Sequence, residues 1–543
     1  MTTDAHRDIA LSEGPAESAT PDRQRWKALG VIALVQFILV LDITVVNVAL
    51  PHIQVDLGFS RAGLAWVVDG YVLTAGGLIL LGGRLADLLG RKRMFLVGVS
   101  LFAAASTLSG AAVDPAMLVA SRFLQGIGEA IAGPAAFGLI ALLFTEPKER
   151  AQAIGVFGGV AGLGGTLGPI ISGLLIAAGS WRWIFFVNVP VAVIAVVAVA
   201  RMVHESRAEV DPLRVGQRPD IAGAVLGTAG LSGIVYGFIA AGTHAWGSMS
   251  VAVPLGAGVF LLACFVLQER RAGAPLVPTG FLKNRTRVTA NITCLFFASA
   301  FFAMFFLLTL YFQEVEHWSA IRTGLAYLPF GVVIGLGIAI SSALVPRVGV
   351  KALLCAGFVL VAAGVFLLSR ITVDGSYWTQ AFPGLVVMGF GSGILFATFG
   401  VASMYEVSGQ DASLAAGVQS TAQQVGGAVG LAVLATLALR HARASVAHGV
   451  ISAVASTDGA GLAFRVGAVV ALAGGVIVAL VRFGGPSGSV VTSRASDPAE
   501  PLSVGDTEPA PARSSRTPDV LLTEAFDVHA GTPTAGSGDT VPI

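Results

Sequence analysis

Residues 81–93 read Leu81-Gly82-Gly83-Arg84-Leu85-Ala86-Asp87-Leu88-Leu89-Gly90-Arg91-Lys92-Arg93, and a long apolar run stands on either side. A helix rises about 1.5 Å per residue, so runs of about twenty apolar residues cross a hydrocarbon core about 30 Å thick. Charges crowded between two such runs make a short polar turn at a membrane surface. This hairpin fixes the class of the chain as a polytopic bundle of membrane helices.

Composition excludes most other classes. Of 543 residues 55% are hydrophobic and only 12% are charged, with a mean hydropathy of +0.80. Soluble domains are about one quarter charged, so this chain lacks the polar surface to dissolve in water. A net charge of +1 points to no nucleic-acid partner. Cys264, Cys294 and Cys355 lie inside apolar runs and suggest neither a disulfide framework nor a metal site. No phosphate-binding loop of the Walker type occurs, which argues against ATP-driven transport and enzyme chemistry. Residues 1–26 hold no short apolar core, so the first span is expected to serve as its own insertion signal.

Fourteen apolar segments can be placed, at roughly 29–51, 64–82, 94–112, 117–143, 152–178, 184–201, 221–241, 251–268, 288–312, 324–345, 352–369, 381–403, 413–438 and 461–482. With the N-terminus inside, 25 of the 33 Lys and Arg fall in cytoplasmic segments and six in outside ones, so both termini are expected in the cytoplasm. Pro346-Arg347-Val348-Gly349-Val350-Lys351 echoes Asp87–Lys92 without the acid, at the place where a six-span repeat predicts it. The domain plan is therefore a cytoplasmic tail (1–28), a six-span domain (29–201), two linker spans with their loops (202–287), a second six-span domain (288–482) and a disordered cytoplasmic tail (483–543).

Gly83, Asp87, Gly90, Arg91 and Lys92 follow the spacing G-x-x-x-D-x-x-G-R-K. That pattern resembles the loop between spans 2 and 3 of the major facilitator superfamily of secondary transporters, except that Leu88 stands at a position usually basic. Leu41-Asp42-Ile43-Thr44-Val45-Val46-Asn47-Val48-Ala49-Leu50-Pro51 resembles the first-span signature of its fourteen-span drug:proton antiporters, the EmrB/QacA type. Trp181–Pro190 and Leu310-Tyr311-Phe312-Gln313 resemble further signatures of that group. In span 5, Gly155, Gly164, Gly168, Pro169 and Gly173 resemble the antiporter motif, with Ser172 in place of one glycine. Glycines four apart allow a close helix approach, Pro169 can bend the span, and Gly331 and Gly335 of span 10 offer a partner surface.

Besides Arg465, left within the last span, four ionisable residues lie clearly within spans: Asp42, Asp69, Arg122 and Glu129. Each costs about 3 kcal/mol at the bilayer centre unless it faces a cavity or a partner. Counted from the span ends at about 1.5 Å per residue, Asp69 and Arg122 both lie about 8 Å deep, Asp42 about 14 Å and Glu129 about 18 Å. Asp69 and Arg122 are therefore level enough to pair, and Arg122 is also expected to tune proton binding at Asp42, weakening it when the two approach. Three acids facing one Arg leave at least one without a fixed cation, available to bind a proton. These four are the candidates for proton coupling, with Asp42 first, and Arg122 sits in a stretch that resembles the family's span-4 proton-transfer motif. Glu129, Gln423 and Gln424 are the candidate substrate contacts. The phenylalanines of span 9, from Phe296 to Phe306, are expected mainly to pack against lipid or core. Asp87, steered by Arg91, is expected to gate the cycle by approaching the start of span 13 near Ala412–Ala416.

The resemblance implies a major facilitator fold of two six-helix pseudo-repeats plus two central spans. It implies a proton-coupled exporter of amphiphilic small molecules, of the drug or antibiotic efflux kind, in the cytoplasmic membrane. Protons and the lipid bilayer would be its other partners, the proton gradient its only energy source, with no cofactor, and a monomer would suffice. Export of an endogenous metabolite, lipid or siderophore stands as the alternative. Proton-coupled uptake is disfavoured by the span-5 motif, and a non-transporting sensor or scaffold would leave the buried acids without a purpose.

Overall fold

The computed structural model describes residues 22–144, 146–203, 220–273, 275–278, 280–407 and 412–483. Expectations about residues 1–21, the loop holding Arg207, Asp211-Pro212, Arg214 and Arg218, and the tail from 484 onward fall outside the described residues. All regular structure within them is helical.

The first half runs α1 (Asp22–Leu57), α2 (Trp66–Leu89), α3 (Arg91–Gly110), α4 (Pro115–Leu143), α5 (Pro147–Ala177) and the broken pair α6 (Trp183–Phe186) and α7 (Asn188–Met202). An antiparallel pair follows, α8 (Ile221–Ala241) and α9 (Met249–Arg271). The second half runs α10 (Arg285–Leu310), α11 (Ala320–Ala326) with α12 (Leu328–Val348), α13 (Val350–Leu368), α14 (Phe382–Ser403), α15 (Ala412–Ala447) and α16 (Ser452–Leu480). Among the described residues thirteen helical stretches are long and apolar enough to cross a membrane. The fourteenth is α5, bent by 46° between Gly165 and Leu167, next to Pro169.

Helix ends follow local chemistry. Asp114 accepts from the Met117 N–H at 2.8 Å with Pro115 at the first helical position, and Asn284 caps α10 through the Arg287 N–H at 3.1 Å. Three helices run further than hydropathy placed them. α1 passes Pro51 to Leu57, α15 reaches Ala447, and α16 begins at Ser452, with the polar Asp458 on its exposed face.

Packing repeats between the halves. α2 and α3 pack on α4 as α12 and α13 pack on α14; α1 meets α5 as α10 meets α15; α3 meets α7 as α13 meets α16. The turns of the sequence echo match in detail. Gly90 (φ 106°) and Gly349 (φ 85°) occupy backbone conformations that side chains rarely adopt, each ending one helix and starting the next. Just beyond, Lys92 donates to the Ala200 carbonyl at the end of α7 (2.9 Å), and Lys351 to Ala479 and Val481 at the end of α16 (2.8 and 2.9 Å). In both halves a lysine thus satisfies the free carbonyls of the sixth span.

Two seams join the halves, α2 against α15 and α5 against α11 and α12. The end of the bundle that carries the α2–α3 turn is called the hairpin end below, and the opposite end the far end. α8 lies over the α2/α15 seam, and α9 packs almost wholly on α8.

Candidate functional site

Asp42 sits at mid-length on α1, fully buried, and gathers polar side chains from two other helices, α4 and α7. Arg122 of α4 pairs with its Oδ2. Its Oδ1 accepts from Gln125 Nε2 (3.1 Å) and from Asn188 Nδ2 (2.9 Å). Arg122 is held in turn by the Val67 carbonyl (2.8 Å) and Gln125 Oε1 (2.9 Å), with its guanidinium 4.4 Å from the Tyr71 ring centre. Gln125 reaches Ser106 Oγ (2.7 Å) and accepts from Ser109 (3.0 Å). Removed from water, each of these groups needs a partner, and the network supplies one. Through these three N–H donors one carboxylate ties α1 to α4 and α7.

This arrangement corrects one expectation. Arg122 pairs with Asp42 and not with Asp69. Depth counted from apolar run ends says nothing of which helix face each residue occupies, and the faces decided the pairing. Asp69 is not at the surface either: it is fully buried, and neither carboxyl oxygen meets a hydrogen-bond partner among the described residues. Asp69 lies near the far end of α2, two turns before Gly76, whose missing side chain makes room for Gln424 of α15.

Glu129 lies apart from the pair and lines a central cavity of about 390 Å³ between the halves. It lies near Tyr71, whose hydroxyl donates to the Leu39 carbonyl (3.3 Å), while its Oε2 has no partner among the described residues. Tyr71 therefore stands between the cavity acid and the Arg122–Asp42 pair. Gln36, Thr44, Ser420, Gln423 and Gln424 supply further polar groups to the cavity wall. Much of the rest is aromatic: Phe301, Phe302 and Phe305 of α10, Tyr327, Phe330 and Phe396. The expectation that the span-9 phenylalanines mainly pack is corrected for these three, because α10 turns them inward. One acid, several amides and a wall of rings suit an amphiphile with an aromatic body and a positive charge.

The span-5 glycines divide by partner. Gly164 approaches the Phe37 carbonyl (2.8 Å from the place of a Cβ), and Gly168 backs onto Thr44, so both set α5 against α1. Gly173 meets Ile321 Cα at 2.6 Å by the same measure, and Gly324 faces Pro169 and Ile170, joining α5 to α11 at the far end. Gly155 has no atom within 4 Å. The expected partner surface at Gly331 and Gly335 is corrected: Gly331 lines the cavity and Gly335 meets nothing within 4 Å.

Further links close the far end. Arg61 bridges to Glu314 (2.8 Å) and to Ser456 (3.3 Å), and Gln313, in a π-helical turn after α10, donates to the Val48 carbonyl (2.8 Å). Arg182 pairs with Asp56 (3.0 Å) and donates to the Gly110 and Ala112 carbonyls after α3. At the hairpin end Asp87 pairs with Arg91 (3.2 Å), which reaches the Gly138 carbonyl of α4 (3.0 Å). The close approach of α2 to α4 falls on Gly82, against the Ala130 carbonyl, while Gly83 has ordinary room beside Pro134 (3.4 Å).

Gln125, Asn188, Ser106 and Tyr71 were not singled out from sequence. The available signal was their polarity inside apolar spans, a weaker one than charge.

Comparison with known proteins agrees with this architecture. A family model described as Major Facilitator Superfamily matches residues 32–431. The puromycin resistance protein pur8 of Streptomyces alboniger is 40% identical over 457 residues, covering 83% of this chain and 89% of its own. The lincomycin resistance protein of Streptomyces lincolnensis is 36% identical, covering 78% and 86%. The crystal structure of a bacterial homologue of the human lysosomal transporter Spinster, inward-facing and occupied, aligns with a TM-score of 0.61 over 84% of this chain and 96% of its own. At 15% identity that likeness is one of fold. Span pattern, repeated packing and these matches together establish that the chain is a multi-pass membrane protein belonging to the Major Facilitator Superfamily.

Proposed function

We propose that this chain is a proton-coupled exporter of amphiphilic small molecules, of the antibiotic or drug efflux kind. The observation that carries the proposal is the cavity with Glu129 in its wall, near Tyr71, whose ring lies against Arg122 of the buried Arg122–Asp42 pair. The names of its relatives, which include resistance to puromycin and lincomycin and the export of cephamycin, support the same reading. Proton binding at Asp42 would release Arg122 and loosen α1 from α4. Substrate would meet Glu129, Gln423 and Gln424. Transport would proceed by alternating access in the cytoplasmic membrane, with the hairpin end and both termini in the cytoplasm. The chain would act as a monomer and draw on the proton gradient, with no cofactor.

Reconstituted vesicles under an imposed pH gradient test this. Asp42→Asn should abolish uphill export and leave downhill exchange measurable, because exchange needs alternation without net proton movement. Full uphill transport by that variant would remove Asp42 from coupling. A sensor or scaffold would give no proton-dependent flux even in the unmodified protein.

A further inference from the structure

The two seams are sealed to different extents. Along α2/α15 contact persists toward the hairpin end, with Gly76 against Gln424 and Gly417 against Leu80 at 2.9 Å from the place of a Cβ. α8 then covers the outside of that seam. Thr228 fills the space beside Gly77, and Thr436 donates to the Phe238 carbonyl at 2.7 Å. Arg440 and Arg443 of α15 bind the carbonyls of Ala241, His244 and Gly242 at the end of α8.

Among the described residues, the close glycine contacts of the other seam lie at the far end, where Gly173 meets Ala320 and Ile321, and Gly324 meets Pro169 and Ile170. From Pro169 toward the hairpin end the helices part. No atom lies within 4 Å of the Cβ positions of Gly155, Gly158 and Gly159 on α5 or Gly335 on α12. Gly158 and Gly165 of α5, and Gly331, Ile334 and Ile338 of α12, are also cavity wall. The gap and the cavity therefore share the same two helices. Exposed residues beside it are apolar: Ile154 and Val156 on α5, Leu336 and Ile340 on α12.

We propose that this gap is a lateral portal through which an amphiphile dissolved in the bilayer reaches the cavity, and that the α8–α9 pair closes the corresponding route on the opposite side. The proposal rests on the cavity being the export site. An amphiphile concentrates in lipid, and its apolar body can pass between glycine-lined helices without entering water. Its charged group then meets Gln36, Gln423 and Glu129 inside. The two extra spans thus make access one-sided.

The probe is tetraphenylphosphonium, with the full chain reconstituted in lipid vesicles. Gly159→Trp combined with Gly335→Trp should narrow the gap, because neither residue is cavity wall. Its initial transport rate should fall about tenfold, while binding of the same probe in detergent, where no bilayer route exists, stays at the level of the unmodified protein. An unchanged rate, or equal loss of binding and rate, overturns the portal. Independently, on a background with the three cysteines replaced by Ser, a bimane at Gly335→Cys should be quenched by nitroxide-bearing lipids. A bimane at Leu80→Cys should not. Equal quenching at both positions, or none at Gly335, also overturns it. Absence of tetraphenylphosphonium transport by the unmodified protein would count against the export reading itself, and the quenching would still decide the portal.

Discussion

Asp42 and Glu129 are both acids in the first half, yet their surroundings assign them different chemistry. Asp42 accepts three N–H donors out of reach of the cavity, whereas Glu129 faces the cavity with one oxygen unpartnered. Removing the charge at Asp42 strands the buried Arg122, and breaking a buried pair this way costs about 3–5 kcal/mol. Asp42→Asn should therefore melt measurably lower than the unmodified protein, in addition to losing uphill transport. Unchanged melting would mean that Arg122 finds another partner. Glu129 leaves no such cation behind, so Glu129→Gln should keep its melting temperature. If the acid acts on substrate charge, that variant should export cationic substrates less well than neutral ones of similar size. Equal loss would assign Glu129 to proton coupling.

Packing of α2 on α4 separates two adjacent glycines. Gly82 lies against the Ala130 carbonyl with no room for a side chain, while Gly83 has space for a methyl group. Gly82→Val should cost about 1–3 kcal/mol of stability, as overpacking does, and Gly83→Ala within about 0.5 kcal/mol. Thermal melting of the two purified variants checks this, and equal effects would contradict the packing. Asp87, further along the same helix, is held by Arg91 and remains 41% exposed; in the proposed gating it would approach the start of α15 when the hairpin end closes. Asp87→Asn should lower turnover and bias cysteine accessibility toward the hairpin end, without loss of folded protein. Unchanged transport would sink the gating role. The span-5 glycines act over a longer element: Gly164 and Gly168 set the path of α5 along α1, and Gly173 delivers its far end to α11.

Over the whole molecule, the two halves repeat one packing scheme and meet along two unequal seams. The orientation of that assembly in the membrane rests on the distribution of basic residues. Reporter fusions after Arg201 and at the C-terminus should read cytoplasm, and one near His244 should read outside. A C-terminus on the outside would overturn the even number of spans. Sequence by itself determined the spans, their number and the repeat, because helix length and lipid solvation act on each segment separately. It also found the four charged residues, since each is costly in lipid wherever it lies. Their pairing was decided only by the tertiary structure. Arg122 reaches Asp42 across the α1–α4 contact, while Asp69 is buried with no hydrogen-bond partner among the described residues. Depth along a helix is a one-dimensional quantity, whereas a pair also needs the right faces and tilts. The same holds for the cavity wall. Phe301, Phe302 and Phe305 resemble lipid-facing residues in composition, and only the rotation of α10 against the other half turns them inward.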